Sequence, residues 1–236
     1  RSRRPARRAW QAAGPPTHAP QAAVLTGPVP GALAEEIARQ EAGIAALEHA
    51  QEGLSAWYAA LAFRRYECGV TIGAGTGAVA QGFNRRGEQA TASAWGGLFG
   101  DEGGAYWIAI EGMRAVARAE DGRDPPTALR QGLAEMYGFS NLWDFVHVVY
   151  QKPLHRREIA AFSPVVARVA AEGDAKAREI LGRAGRELAE ASIAVIRRLG
   201  MGDQEFPLVP FGSVFKAGPW LVVPFEEEVT QAAPKA

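Results

Sequence analysis

The chain is poor in the residues that give a protein an obvious speciality. One cysteine, Cys68, among 236 residues excludes an intramolecular disulfide, a cysteine-built zinc site and a cysteine-ligated iron–sulfur cluster within one chain. That usage fits a reducing compartment and predicts a cytoplasmic protein. No run approaches the ~18 consecutive apolar residues of a spanning helix, and the start lacks the apolar core of a secretory signal. Net charge is also lacking, because 26 basic and 26 acidic residues cancel, so no overall field recruits nucleic acid or acidic lipid. The four histidines, His18, His49, His147 and His155, have no acidic or cysteine partners at ligand spacing, and no metal-ligating set is expected. What is present is an ordinary globular balance of 47% hydrophobic and 22% charged residues, on a chain long enough to bury roughly 70% of its unfolded surface without staples.

The neutral total hides an asymmetry. Residues 1–34 carry five arginines and no acid, with Pro15, Pro16, Pro20, Pro28 and Pro30 among them, and show neither helical nor strand periodicity. They are read as an irregular Arg/Pro-rich lead-in, and residues 35–236 as one folded lobe. An arginine-rich arm can touch RNA or a membrane surface, and the plainer reading is a disordered or artificial terminus.

From Leu33 the spacing Leu33, Ile37, Ile44, Leu47 predicts a helix, and Leu54, Tyr58, Leu61 a second short one. The run Cys68 to Gly73 predicts a strand, and Val79 to Phe83, after Gly75-Thr76-Gly77, its hairpin partner. Past a glycine-rich connector from Trp95 to Gly100, Asp101-Glu102 sits where an N-cap and first-turn acids belong, opening a helix to about Ala119. Helices follow over 127–137, 142–150, 157–171 and 174–199; in the last, Leu181, Ala184, Leu188, Ala191, Val195 and Leu199 draw one apolar stripe. Residues 206–214 read as a buried strand and 218–230 as a final helix. The order predicts an α/β lobe with a mixed sheet flanked by helices.

Gly73-Ala-Gly75-Thr76-Gly77 directly after a strand suits a phosphate cradle, because glycine lets backbone N–H groups approach an anion without a Cβ in the way. A P-loop is excluded, since none of Lys152, Lys176, Lys216 and Lys235 follows a glycine. The spacing G-x-G-x-G, followed by a hairpin, fits a dinucleotide fingerprint poorly. A strand–glycine turn–strand cradle and a plain tight hairpin both stay open.

Gly75-Thr76-Gly77, Trp95-Gly96, Gly100-Asp-Glu-Gly103 with Tyr106-Trp-Ile108, Glu172-Gly-Asp174 and Gly212-Ser-Val-Phe-Lys216 resemble, in order, the motifs of the N-acetylglucosamine kinase and BadF/BadG/BcrA/BcrD ATPase family. The resemblance runs from about Leu54 to about Thr230. It implies a ribonuclease-H-like (actin-like ATPase) lobe, ATP and Mg²⁺ as cofactors, a small-molecule sugar substrate such as N-acetylglucosamine, and no nucleic-acid or membrane partner; a homodimer is left open. By the same resemblance Gly75, Thr76, Gly77, Ala160, Gly212, Ser213 and Ala217 are expected at ATP, and Ala78, Val79, Ala94, Trp95, Gly96 and Asp101 at the sugar. The indole would supply an apolar wall and the carboxylate would accept sugar hydroxyls. Without the family pattern, Trp95 reads as a core aromatic and Asp101 as an N-cap.

The chain also departs from the family. The aspartate base falls on Ala56, which cannot accept a proton, so no catalytic residue and no metal ligand is assigned. The first phosphate motif of the family's other lobe is not found in residues 1–66, nor its terminal glycine-rich helix. The expectation is a kinase-type lobe whose first lobe is missing or degenerate. The alternatives are an ATPase that activates a partner through an iron–sulfur cluster, opposed by the single cysteine, and an inactive nucleotide- or sugar-binding remnant.

Overall fold

The computed structural model describes residues 22–25, 46–49 and 67–236. It divides at Ser55, with one compact unit over Arg1–Ser55 and a second over Ala56–Ala236. Charge and proline content shift instead near residue 34, because composition reports solvation rather than pairing. In the first unit, strands β1 (Ala22–Leu25) and β2 (Ala46–His49) pair in parallel, Ala22 opposite Ala46. β1 lies within the stretch read as irregular, where Ala-Ala-Val-Leu is too short to show a period. β2 lies at the end of the stretch read as helical. The second expected helix, Leu54 to Leu61, and Ala56 lie outside the described residues.

The second unit carries a mixed four-stranded sheet in the order β5-β4-β3-β6. β3 (Gly69–Ala74) is antiparallel to β4 (Ala78–Phe83) and parallel to β6 (Leu208–Phe211), while β5 (Gln89–Ser93) adds antiparallel to β4. The hairpin is where the sequence placed it, and β3 is buried along its whole length. β5 had not been foreseen. Its Gln-Ala-Thr-Ala-Ser buries only small alanines, with Ala90 inward, and gives almost no hydrophobic signal. β6 corrects the expectation of a buried strand: it is half-buried at the end of the strand order, and the exposed Pro210, which has no N–H to donate, suits that position.

The helices are α1 (Ala105–Glu120), α2 (Leu129–Tyr137), α3 (Leu142–Gln151), α4 (Arg156–Ala160), α5 (Ser163–Ala171), α6 (Ala175–Arg198) and α7 (Pro219–Ala232), with a 3₁₀ turn at Ser213–Ala217. The expected single helix over 157–171 is two, because Pro164 in the first turn of α5 would clash with the carbonyl four residues earlier in a continuous helix. α6 is the central pillar and packs on β3, β4 and β5. Its apolar stripe is buried at Leu181, Ala184, Leu188 and Val195, with Ala191 half-buried. α7 crosses it closely at Gly185, where a Cβ would collide with the Leu221 carbonyl.

Glu172-Gly-Asp174 is a structural joint in this fold. Asp174 accepts from the Ala177 N–H that opens α6 (2.8 Å), and from the Ala128 N–H (2.8 Å) and Thr127 hydroxyl (2.9 Å) just before α2. Burial raises its pKa, but these accepted hydrogen bonds outweigh that effect and hold the carboxyl below its ordinary value.

Candidate functional site

The C-terminal ends of β3, β5 and β6 and the start of β4 meet at one end of the sheet, where ligands of α/β sheets commonly gather. Gly75-Thr76-Gly77 joins β3 to β4 there, closed by the Gly75 N–H on the Gly77 carbonyl at 2.9 Å. The turn also caps a helix. The Gly75 and Thr76 carbonyls accept from the Ala105 and Tyr106 N–H groups at 2.9 and 3.0 Å, satisfying donors at the start of α1 that no side chain reaches. The cap residue is thus Gly104, and Asp101-Glu102 does not play the N-cap part read from the sequence. Among the described residues the Thr76 and Gly77 N–H groups have no hydrogen-bond partner.

Beside the turn, β6 runs into Gly212, whose φ of 106° and contact with Ala74 exclude a side chain. Between the turn, α4, α5 and the 3₁₀ segment opens a cleft of about 930 Å³, the size that small-molecule sites occupy. Thr76, Ala160, Ser213 and Ala217, four of the residues expected at ATP, line it together. Gly75, Gly77 and Gly212 shape its edge through the backbone and are not in its lining.

The sequence had not singled out the cleft's charge. Arg157, Arg168, Arg178 and Lys216 line it and no carboxylate does. Arg168 is engaged by Glu172 at 3.0 Å, and Arg178 lies over the Trp220 ring at 4.1 Å while donating to the Ala170 carbonyl. Arg157 and Lys216 have no ion-pair partner among the described residues. α5 lies along the same space from Ser163 to Ala171, and the start of α7 opens on it, adding the positive end of one helix dipole. The cleft thus sets cations and a helix start on a largely apolar wall. It does not suit a protein-held Mg²⁺, since it lacks oxygen anions of its own and the described residues contain no group of three metal-ligating side chains.

The residues expected at the sugar gather at the neighbouring edge. Ala78 is buried at the start of β4, Val79 pairs with Ser93, and the Ala94 N–H donates to the Ala78 carbonyl at 3.0 Å. The loop from Ser93 to Asp101 holds all three left-handed non-glycine residues among those described: Ser93, Ala94 and Asp101, at φ 62°, 64° and 62°. Such strain collects at ligand sites. Trp95 is 75% exposed, with Leu98 and Phe99 also exposed beside it, so the core-aromatic reading is excluded. Gly96, at φ 82°, turns the loop. Asp101 is only 6% exposed; it pairs through Oδ2 with Arg156 Nη2 and its own N–H donates to the Ser93 hydroxyl at 3.1 Å. Arg156 and Ser93 carried no sequence signal, being an unremarkable helix-start arginine and a loop serine.

Comparison with known proteins adds relatives to this geometry. The model of the BadF/BadG/BcrA/BcrD ATPase family matches residues 31–233. An N-acetylmuramic acid/N-acetylglucosamine kinase from Clostridium acetobutylicum is 29% identical over 71% of this chain and 55% of its own length. An N-acetyl-D-glucosamine kinase from Dictyostelium discoideum is 36% identical over 61% of this chain and 46% of its own. The chain thus spans about half the length of the curated relatives it matches. Among solved structures, a candidate N-acetylglucosamine kinase from Chromobacterium violaceum superposes with a TM-score of 0.63 at 25% identity, covering 83% of this chain and 65% of the other. A ROK family glucokinase from Streptomyces griseus, in complex with glucose and AMPPNP, shares the fold at a TM-score of 0.51 and 12% identity, over 84% of this chain and 62% of its own.

Proposed function

Because the chain belongs to the BadF/BadG/BcrA/BcrD ATPase family, we propose that it is the nucleotide- and acceptor-binding part of an ATP-dependent sugar kinase of the N-acetylglucosamine type. The cleft carries this reading: four cations, three hydroxyl-bearing residues and the start of α7 face one space that no carboxylate enters. A triphosphate satisfies such a lining. Arg157 and Lys216, unpaired among the described residues, offset its charge, while the Thr76 and Ser213 hydroxyls and the unengaged Thr76 and Gly77 N–H groups donate to its oxygens. Ala160 and Ala217 leave room for the base.

The acceptor lies on the other side of the turn. Asp101 Oδ2 is held by Arg156, so Oδ1 is the oxygen that accepts from a sugar hydroxyl, and the Trp95 indole offers an apolar face to the ring or its acetamido methyl. In transfer, the acceptor oxygen attacks the γ-phosphorus as the bond to the bridging oxygen breaks, and the hydroxyl proton must leave to a base. Ala56 provides no acceptor for it, and loss of a general base costs ~10²- to 10⁴-fold. Binding should therefore outlast turnover. The lone Cys68, buried and free, suits a cytoplasmic setting.

Calorimetric titration with AMPPNP and with N-acetylglucosamine, beside a coupled ADP-release assay, tests the proposal. Saturable binding of both with turnover at or below detection is expected. Absence of nucleotide binding would contradict the cleft assignment, and robust turnover would contradict the assignment of the base to Ala56.

A further inference from the structure

Arg156 and Arg157 are neighbours in sequence but serve opposite sides of α4. Arg157 and Ala160 line the cleft. Arg156 reaches back to Asp101 and lies over the Tyr106 ring, 5.3 Å from its centroid. One five-residue helix thus touches both halves of the site, and the Gly-Thr-Gly turn touches them too. A Cβ on Gly77 would collide with the Asp101 carboxylate and come within 2.9 Å of Arg156 Nη2, while Thr76 beside it faces the cleft.

We propose that Arg156 is a positioning residue that couples the cleft to the acceptor loop: through its pair with Asp101, occupation of the cleft by nucleotide phosphates sets the conformation of residues 93–101. The inference rests on the reading of cleft and loop given above.

The physical basis is a strained loop with a single electrostatic latch. Asp101 is nearly buried in a left-handed conformation, and Arg156 is its only ion-pair partner among the described residues. A buried carboxylate that loses its partner is strongly disfavoured, so the loop relaxes outward unless Arg156 is in place. Ser93 and Ala94 at the other end are strained as well, and strain of this kind persists only while surrounding contacts hold it. Phosphates drawn to Thr76 and Arg157 bias the turn and α4, the two elements that hold the latch. Nucleotide then favours the latched loop, and by linkage an acceptor on the latched loop favours nucleotide.

The test uses the full chain labelled with ¹⁵N-tryptophan. Trp95 lies outside the cleft lining, so its indole N–H resonance reports coupling rather than contact. In the unmodified chain AMPPNP is expected to shift it, and to tighten N-acetylglucosamine about fivefold or more. In Arg156→Gln, AMPPNP should still bind within about twofold while the Trp95 shift and the tightening disappear. Arg156→Lys, which keeps the charge but loses the planar fork, should recover part of both, and it serves as the readout if Arg156→Gln does not fold. If AMPPNP binds and moves Trp95 equally in all three proteins, or binds the unmodified chain without moving Trp95, the coupling is refuted and the nucleotide reading stands. If the unmodified chain does not bind AMPPNP, both fall together.

Discussion

The cleft and the loop from Ser93 to Asp101 lie on either side of one glycine turn, yet they are built on opposite principles. The cleft is walled by helices, small side chains and cations, and the positive-φ backbone at its edge falls on Gly212 and Gly218, which take it at no steric cost. The loop puts positive φ on the non-glycine residues Ser93, Ala94 and Asp101, at about 1–3 kcal/mol each, and leaves Trp95, Leu98 and Phe99 in solvent. The cleft is shaped before any ligand arrives. The loop keeps its shape through what holds it: the Asp101–Arg156 pair, the Ser93 hydroxyl and the backbone hydrogen bonds of Ala94, Phe99 and Gly100.

The harshest way to break this contrast is at Gly212. Valine there cannot take φ 106° and meets the Ala74 backbone, so Gly212→Val should destabilise the second unit by about 3 kcal/mol or more. A thermal melt superposing on that of the unmodified chain would show that the cleft is not preformed in this way.

Asp174 provides a control that touches neither region. Removing the cap of α6 in Asp174→Ala should cost about 1–2 kcal/mol and leave AMPPNP affinity unchanged. The Asp174 carboxyl titrates lower folded than unfolded, despite its burial, because of the hydrogen bonds it accepts. Its contribution is therefore complete above the ordinary carboxylate range near pH ~4 and fades as pH falls through the folded value. Melts from pH 7 to pH 3 should show the gap between the two proteins narrowing on acidification; a constant gap would contradict the ionised cap.

The smallest effect comes from the turn itself. A Cβ on Gly75 meets nothing within 4 Å, whereas one on Gly77 collides with Asp101. Gly75→Ala should change stability by less than about 0.5 kcal/mol, while Gly77→Ala displaces Asp101 and shifts the Trp95 indole signal without ligand. Equal behaviour of the two would dissolve the distinction between the side of the turn facing the cleft and the side facing the loop.

Much of the scaffold was legible because it is periodic or punctuated. The stripe on α6, the apolar run of β3 and the glycine turn each declare themselves by spacing, and the motif resemblance set the turn beside Gly212-Ser213. What stayed hidden has no local signature. β5 pairs through its backbone and buries only alanine, the split at Ala161 depends on Pro164 within an otherwise helical pattern, and Asp101 reads as an N-cap until Arg156, distant in sequence, is seen beside it. The charge of the cleft is likewise a property of assembly, since Arg157, Arg168, Arg178 and Lys216 come from separate elements.

A crystal structure of the chain with AMPPNP tests the central claim most directly. The account predicts the phosphates between Thr76 and Ser213, within reach of Arg157 and Lys216, and the base toward Ala160 and Ala217. Nucleotide bound elsewhere on the chain, or a cleft empty at saturating AMPPNP, would contradict it.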